Sequence, residues 1–266
     1  MTISILRVLL LSLVIFLALL YLGQRMLLFP GAYFLPSVAR EDKNLRVIPL
    51  KTSDGISIQL YTFADSPKHK RAILVFHGNA DLAARKIYEL AFLKDKYNIY
   101  SMEFRGFNKN KGRPSERTLN LDAKAALKYL RSQGYEGIIY YGHSIGTAVA
   151  VRLVKEEVPL ALILEAPLDN LLNAAHSAFP FLPKFMIRML LKDKFNSTKT
   201  LSRIVVPNVL IMHGLKDDIL DIQMARNLFA KTNSPNKVFK AYEYADHMNI
   251  LNFAQKDILN FLASIK

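Results

Sequence analysis

The sequence predicts an α/β fold, a mostly parallel central sheet with helices on both faces and a short cap insertion, preceded by one transmembrane helix. Three observations carry that reading. From Ala72 onward, apolar runs of strand length alternate with segments of helical period. A glycine-flanked serine, Gly142-His143-Ser144-Ile145-Gly146, stands between one such strand and one such helix. Upstream of both, the run from Val8 to Gln24 contains no charged side chain.

That run is of the length an apolar helix needs to cross a bilayer, roughly 17–25 residues. Residues 1–24 are therefore expected to be an N-terminal anchor and 25–44 a linker. A cleaved secretory signal would carry a shorter apolar core and a small-x-small cleavage site. The exit here reads Tyr21-Leu22-Gly23-Gln24-Arg25. Arg7 on one side faces Arg25 and Arg40 on the other, so the positive-inside count is nearly even.

Residues 45–266 suit one domain. The chain carries 36 Lys+Arg against 22 Asp+Glu, a formal charge of +14. The positive side chains are scattered among acids and form no basic arm, which argues against nucleic acid. Beside an anchor, anionic lipid headgroups are the simpler partner. The absence of cysteine excludes disulfides, thiolate catalysis and Cys-ligated metals. No His-x-x-x-His pair and no glycine-rich phosphate loop occurs, so neither a metal nor a nucleotide cofactor is expected.

Leu45–Lys51 and Ile56–Phe63 read as strands joined by the turn Ser53-Asp54-Gly55. Ala72–Phe76 and Ile99–Phe104 are further strands, with helical spacing over Asp81–Asp95 between them. Thr118 is expected to cap a helix that stops at Gly134. Strands at Ile138–Tyr141, Leu160–Leu164, Val209–Met212 and Val238–Tyr242 then alternate with helices at Ile145–Lys155, Asp221–Lys231 and Ile250–Ile265.

In this setting Gly142–Gly146 has the strand–turn–helix context of a nucleophile elbow, in which the positions flanking Ser144 must be nearly free of side chain. A serine hydroxyl needs a base, and the base an orienting acid. Among the six histidines, His143 adjoins Ser144 and points elsewhere, and His77 and His213 end strands in His-Gly pairs suited to bonding loop backbone. His69 lies in a polar turn and His176 in the interrupting segment. His247, in the loop between the last strand and last helix, is the expected base. The acid is expected from the preceding strand end, at Asp217, with Asp218 and Asp221 as alternatives. The backbone N–H groups of Ile145 and Asn79 are the expected oxyanion donors.

With those residues placed, the chain resembles the α/β-hydrolase superfamily over nearly all of Leu45–Lys266, and more narrowly the bud-emergence (Bem-type) group of small membrane-associated hydrolase-domain proteins. The matching pieces are His77-Gly78-Asn79-Ala80, Glu103-Phe104-Arg105-Gly106-Phe107, the elbow, Phe179-Pro180-Phe181-Leu182-Pro183, His213-Gly214 with Asp217, and Asp246-His247. Glu103 stands where Asp or Asn is commoner in that group, and Asn108–Lys111 is unusually basic. The resemblance implies esterase, lysophospholipase or protein-depalmitoylating activity. A peptidase or acyltransferase on the same residues, or a non-catalytic membrane scaffold, are the rivals.

Residues 167–200 fall where this fold inserts its cap. Pro183 can open a helix on which Lys184, Arg188 and Lys192 recur every four residues, within about 80° of arc, as one basic stripe. Phe185, Met186, Met189 and Leu190 would lie on the other faces. An apolar cap beside an anchor points to acyl ester or thioester substrates and membrane lipid as partners. Because every expected site residue follows Leu45, removal of Met1–Gln24 is expected to leave an active soluble domain.

Overall fold

The computed structural model describes residues 2–34, 42–65 and 68–265. Arg40 and the rest of residues 35–41 of the expected linker lie outside the described residues. Strands β1 (Leu45–Lys51) and β2 (Ser57–Phe63) pair antiparallel, with Gly55 supplying the positive φ of their turn. Strands β3 (Arg71–Phe76), β4 (Asn98–Met102), β5 (Gly137–His143), β6 (Ala161–Glu165), β7 (Asn208–Gly214) and β8 (Asn236–Tyr242) run parallel. The sheet order is β1-β2-β4-β3-β5-β6-β7-β8, and β2 joins the parallel set through antiparallel pairing with β4.

Burial on both faces explains why these strands read as continuous apolar runs. In β3, Ala72, Leu74 and Phe76 face one core and Ile73 and Val75 the other. The first core also takes Leu119, Ala123 and Leu127 of α3 (Glu116–Ser132), the buried helix α4 (Ile145–Leu153), and Met224 and Leu228 of α8 (Ile222–Lys231). The second takes Ile87 of α2 (Ala83–Glu89) and Leu251, Ile258 and Leu262 of α9 (Leu251–Ala263). Helix α3 is capped by Ser115, whose Oγ accepts from Thr118 N; Thr118, the expected cap, lies inside the first turn. The expected helix over Asp81–Asp95 breaks at Leu90, which turns the chain into the short 3₁₀ segment Ala91–Leu93 and keeps Leu90 and Leu93 in the core.

Three helices fill the cap region: α5 (Leu171–Ala178), α6 (Lys184–Leu190) and α7 (Ser197–Leu201). Pro183 stands at the α6 N-cap position, where its missing N–H costs nothing. The three-residue basic stripe does not form. Helix α6 ends at Leu190, and Lys192 lies beyond it with its ammonium 4.1 Å from the Tyr21 ring centroid. Lys184 donates to Asn173 Oδ1. Phe185 and Met189 are exposed, while Ile187 turns inward.

The N-terminal helix α1 (Thr2–Leu28) is long and apolar enough to cross a membrane, and it continues four residues past the expected anchor end at Gln24. Most of its side chains are exposed. The less exposed positions include Leu17, Leu20, Gln24 and Leu28, a stripe at helical spacing turned towards the cap. The chain leaves α1 through Phe29, fully buried against Phe195, so residues 29–32 are packed onto the domain.

Candidate active site

The residues singled out from the sequence gather at the carboxyl ends of β3, β5, β7 and β8. Ser144 follows β5 directly and adopts φ +54°, ψ −123°, a strained conformation for a residue bearing a Cβ. The turn is tight on both sides. A Cβ at Gly142 would strike the Thr147 backbone, and one at Gly146 would strike the carbonyls of Phe76 and His77. Ser144 N donates to the Glu165 carbonyl at 2.9 Å, tying the turn to the end of β6. Its side chain sits at the start of α4, where helical N–H groups lack intrahelical acceptors.

Asp217 and His247 meet as the sequence order suggests. His247 Nδ1 donates to Asp217 Oδ2 at 2.8 Å. The other carboxylate oxygen, Oδ1, accepts from Ile219 N and Leu220 N. Burial alone would raise the Asp217 pKa; the His247 hydrogen bond and charge and the Leu220 N–H outweigh it and hold the carboxyl below its ordinary range. Asp218 is exposed, and Asp221 caps α8 through Gln223 N, so neither alternative lies in this arrangement. Among the described residues no hydrogen bond joins Ser144 Oγ to His247 Nε2, which is common in unliganded sites of this kind.

The remaining histidines have separate work. His213 donates from Nε2 to the Leu220 carbonyl at 2.9 Å and lies 3.3 Å from Asp217. His143 donates to the His247 carbonyl at 3.1 Å, its ring centroid 5.2 Å from that of His247. Burial first, then the nearby charges of Lys86 and His247, press the His143 pKa well down, so it stays neutral and acts as a fixed donor. His176 bonds the Leu182 carbonyl inside the cap.

Asn79 lies in the loop that follows β3. Its carbonyl accepts from Gly31 N at 3.0 Å, which fixes the peptide beyond α1 to the Gly78-Asn79 loop. The loop is stiffened from below by His77, fully buried, which bonds the Gly78 carbonyl through Nδ1 and touches Glu103 at 3.0 Å through Nε2. Burial lowers the His77 pKa, but the Glu103 hydrogen bond and charge, with Asp81, more than reverse this and leave it raised above 6.5. A raised folded value means that the stabilisation is full below the unfolded value and fades as pH climbs through the folded one. Glu103→Gln should therefore lower the melting temperature most below pH 6.5, the gap to wild type narrowing at higher pH. A gap independent of pH in thermal melts would mean that His77 is neutral throughout.

Beneath the elbow lies a charged cluster that the sequence reading did not single out. Lys86 and Glu165, both buried, form an ion pair at 2.7 Å, and Tyr141 Oη donates to the same carboxylate oxygen at 2.6 Å. Glu89 completes the shell of Lys86 at 2.9 Å. Burial works against the ammonium, but the two carboxylates more than compensate and keep its pKa raised. A signal was available: Lys86 lies four residues before Leu90 on the apolar face of its own helix, where an unpaired lysine would not be tolerated.

Above Ser144 opens a cavity of about 270 Å³, apolar for the most part. Ser144, Ile145 and Asn79 form its polar floor, and Leu171, Leu182 and Ile187 of the cap region line one side. No group of His, Asp and Glu able to hold a metal occurs among the described residues.

Comparison with known proteins agrees with this architecture. No family model matches the chain. An α/β hydrolase domain-containing protein 17B of Homo sapiens is 31% identical over 202 residues, covering 74% of this chain and 67% of the relative. Protein bem46 of Schizosaccharomyces pombe is 28% identical over 245 residues, 86% of this chain and 81% of that one. An uncharacterised Mycobacterium tuberculosis protein is 32% identical over 219 residues, 80% of this chain and 76% of its own. Among solved structures, a Pyrococcus furiosus esterase superposes with a TM-score of 0.70 at 18% identity, over 86% of this chain and 95% of the esterase. A Rhodococcus esterase gives 0.64 at 15%, over 83% and 99%.

Proposed function

The chain belongs to the α/β-hydrolase family, and from that premise we propose that it is a membrane-anchored serine hydrolase cleaving a carboxylic ester or thioester of an acyl chain. The observation that carries this reading is the Asp217–His247 hydrogen bond, formed at the same sheet edge as the strained elbow whose Ser144 lines an apolar cavity.

Asp217 holds the proton on Nδ1 of His247, leaving Nε2 free as the base. Nε2 takes the Ser144 proton as Oγ bonds to the substrate carbonyl carbon. The resulting oxyanion is met by the N–H groups of Ile145 and Asn79, fixed in place before the charge develops. The C–O or C–S bond to the leaving group then breaks, and the leaving group takes the proton from His247. Water, deprotonated by the same nitrogen, releases the carboxylic acid and restores Ser144. No cofactor enters any step. The mainly apolar lining of the cavity favours an acyl chain over a sugar or a charged peptide.

A fluorophosphonate label followed by a panel of acyl esters, thioesters and peptides tests the proposal. Label at Ser144 with ester or thioester turnover supports it; peptide turnover alone would overturn it. The acid is tested separately. Asp217→Asn should lower kcat by about 10⁴-fold, because the amide favours the wrong imidazole tautomer and cannot stabilise its charge. Asp218→Asn, on an exposed side chain, should stay close to wild type in the same assay.

A further inference from the structure

The cavity over Ser144 is not closed by the hydrolase domain alone. Leu20, Gln24, Leu27 and Leu28 of α1 form one of its walls, opposite the cap. That wall is fastened in place. Gln24 uses both ends of its amide, donating to the Leu190 carbonyl at 3.0 Å and accepting from Lys192 N at 2.8 Å. At the next residue, Arg25 pairs with the buried carboxylate of Asp193 at 3.0 Å, and Asp193 in turn accepts from Glu116 N at the start of α3. Removal of Met1–Gln24 would leave Ser144, Asp217 and His247 in place but would take Leu20 and Gln24 out of the cavity lining.

The same packing sets a depth. The charge-free part of α1 ends at Gln24, so Arg25 marks the membrane–water boundary if the helix spans the bilayer. Phe16 lies nine residues earlier, about 13 Å along the axis at 1.5 Å per residue. The ring of Phe181, from the cap, rests against Phe16 with centroids 6.1 Å apart. The cap tip thus reaches hydrocarbon depth. Its outward face suits that surrounding: Phe181, Phe185 and Met189, four residues apart in sequence, are 67%, 65% and 80% exposed. In water such a face is a liability; beside a membrane helix it has a natural cover.

We propose that α1 is one wall of the acyl-binding site, and that the cleft between α1 and the cap admits the acyl chain of a bilayer-resident ester or thioester sideways from the leaflet. This rests on the serine hydrolase reading and adds to it the source of the substrate and the residues that gauge its chain. Leu20, Leu27 and Leu28 meet the chain on the anchor side and Leu182 and Ile187 on the cap side. Gln24 keeps the two walls at a fixed separation.

The absence of cysteine makes a direct test possible. Leu20→Cys places a single thiol on the proposed wall, and Leu22→Cys places one on an exposed face of α1, where Leu22 is 72% exposed. The full-length variants in detergent are first reacted with a dodecyl or a methyl fluorophosphonate, then with N-ethylmaleimide. The dodecyl adduct on Ser144 should slow alkylation at position 20 by about tenfold or more, since its chain covers the thiol, and the methyl adduct should not. Position 22 should be indifferent to both. Equal alkylation of position 20 with either adduct would overturn the proposal. Failure of both reagents to attach to Ser144 would overturn the hydrolase reading, and this one with it. A second variant is read independently of thiol chemistry. Leu20→Trp should lower the ratio of kcat/KM for a dodecanoyl ester to that for an acetyl ester by about tenfold or more. An unchanged ratio, with Leu22→Trp behaving the same way, would leave α1 as a tether only.

Discussion

On the proposed mechanism, Ser144→Ala should give a folded protein that takes no fluorophosphonate label and hydrolyses esters slower by on the order of a millionfold. The size of the loss follows from the division of labour around the elbow. Asp217 and His247 act only through a hydroxyl that can give up a proton, so without it their hydrogen bond contributes nothing to the chemical step. What remains is binding and the oxyanion donors acting on water, which is worth about 10³–10⁴ over the uncatalysed reaction. The fold itself should be untouched, because Ser144 joins the surrounding structure through its backbone: N to the Glu165 carbonyl, and the carbonyl to Thr147. Alanine also tolerates the positive φ as poorly as serine does, so the strain is neither relieved nor increased. Wild-type turnover in a folded Ser144→Ala protein would end the serine mechanism.

Lys86→Met is expected to be strongly destabilising. Removing one partner of a buried pair strands the other charge, at a cost of about 3–5 kcal/mol. Here the stranded group is Glu165, which is fully buried, receives the Tyr141 hydroxyl and carries the carbonyl that holds Ser144 N. For a domain of this size the melting temperature should fall by roughly 6–20 °C. Lys86→Met combined with Glu165→Gln should recover more than half of that, since the amide oxygen still accepts from Tyr141 and no charge is left unpaired. A single variant as stable as wild type, measured by thermal denaturation in detergent, would mean that water reaches the cluster. The same experiment reports on the site: if the elbow loosens with Glu165, labelling of Ser144 slows before global unfolding begins.

Much of the architecture was legible because the parallel strands are buried on both faces and their apolar runs are uninterrupted. β3, β5, β6 and β7 were placed to within a residue or two of their ends. The helix boundaries were less so. Thr118 and Ser115 both suit an N-cap, and only the three-dimensional entry of the chain favours Ser115. The break at Leu90 has no glycine or proline to announce it; it follows from the need to bury Leu90 and Leu93 on one side of a short connection. At the site, the order of strand ends pointed to Asp217 and His247, which the structure joins, because loops at the carboxyl edge of a parallel sheet converge in a predictable order. The neutral His143 and the wall supplied by α1 were not visible, and for the Lys86–Glu165 pair the sequence signals that Lys86 needs a partner but not which residue supplies it. Each depends on contacts between segments far apart in sequence, and periodicity within one segment carries no record of its neighbours. The basic stripe failed for a related reason: a four-residue repeat implies one helical face only while the helix lasts, and α6 ends before Lys192.

The clasp of Arg25 on Asp193, with Gln24 held between Leu190 and Lys192, has a kinetic consequence. A catalytic head on a slack tether would tumble and sample the water around the membrane. A hydrolase of the proposed membrane-anchored kind, fixed rigidly to its own helix, would keep a single face towards the lipids and meet substrate by lateral diffusion alone. Its rate is then governed by how crowded the leaflet is with substrate. On that proposal, diluting a lipid substrate with inert lipid, at constant total amount in the tube, should lower turnover in proportion to mole fraction, whereas adding more vesicles of the same composition should leave the turnover of each enzyme molecule unchanged.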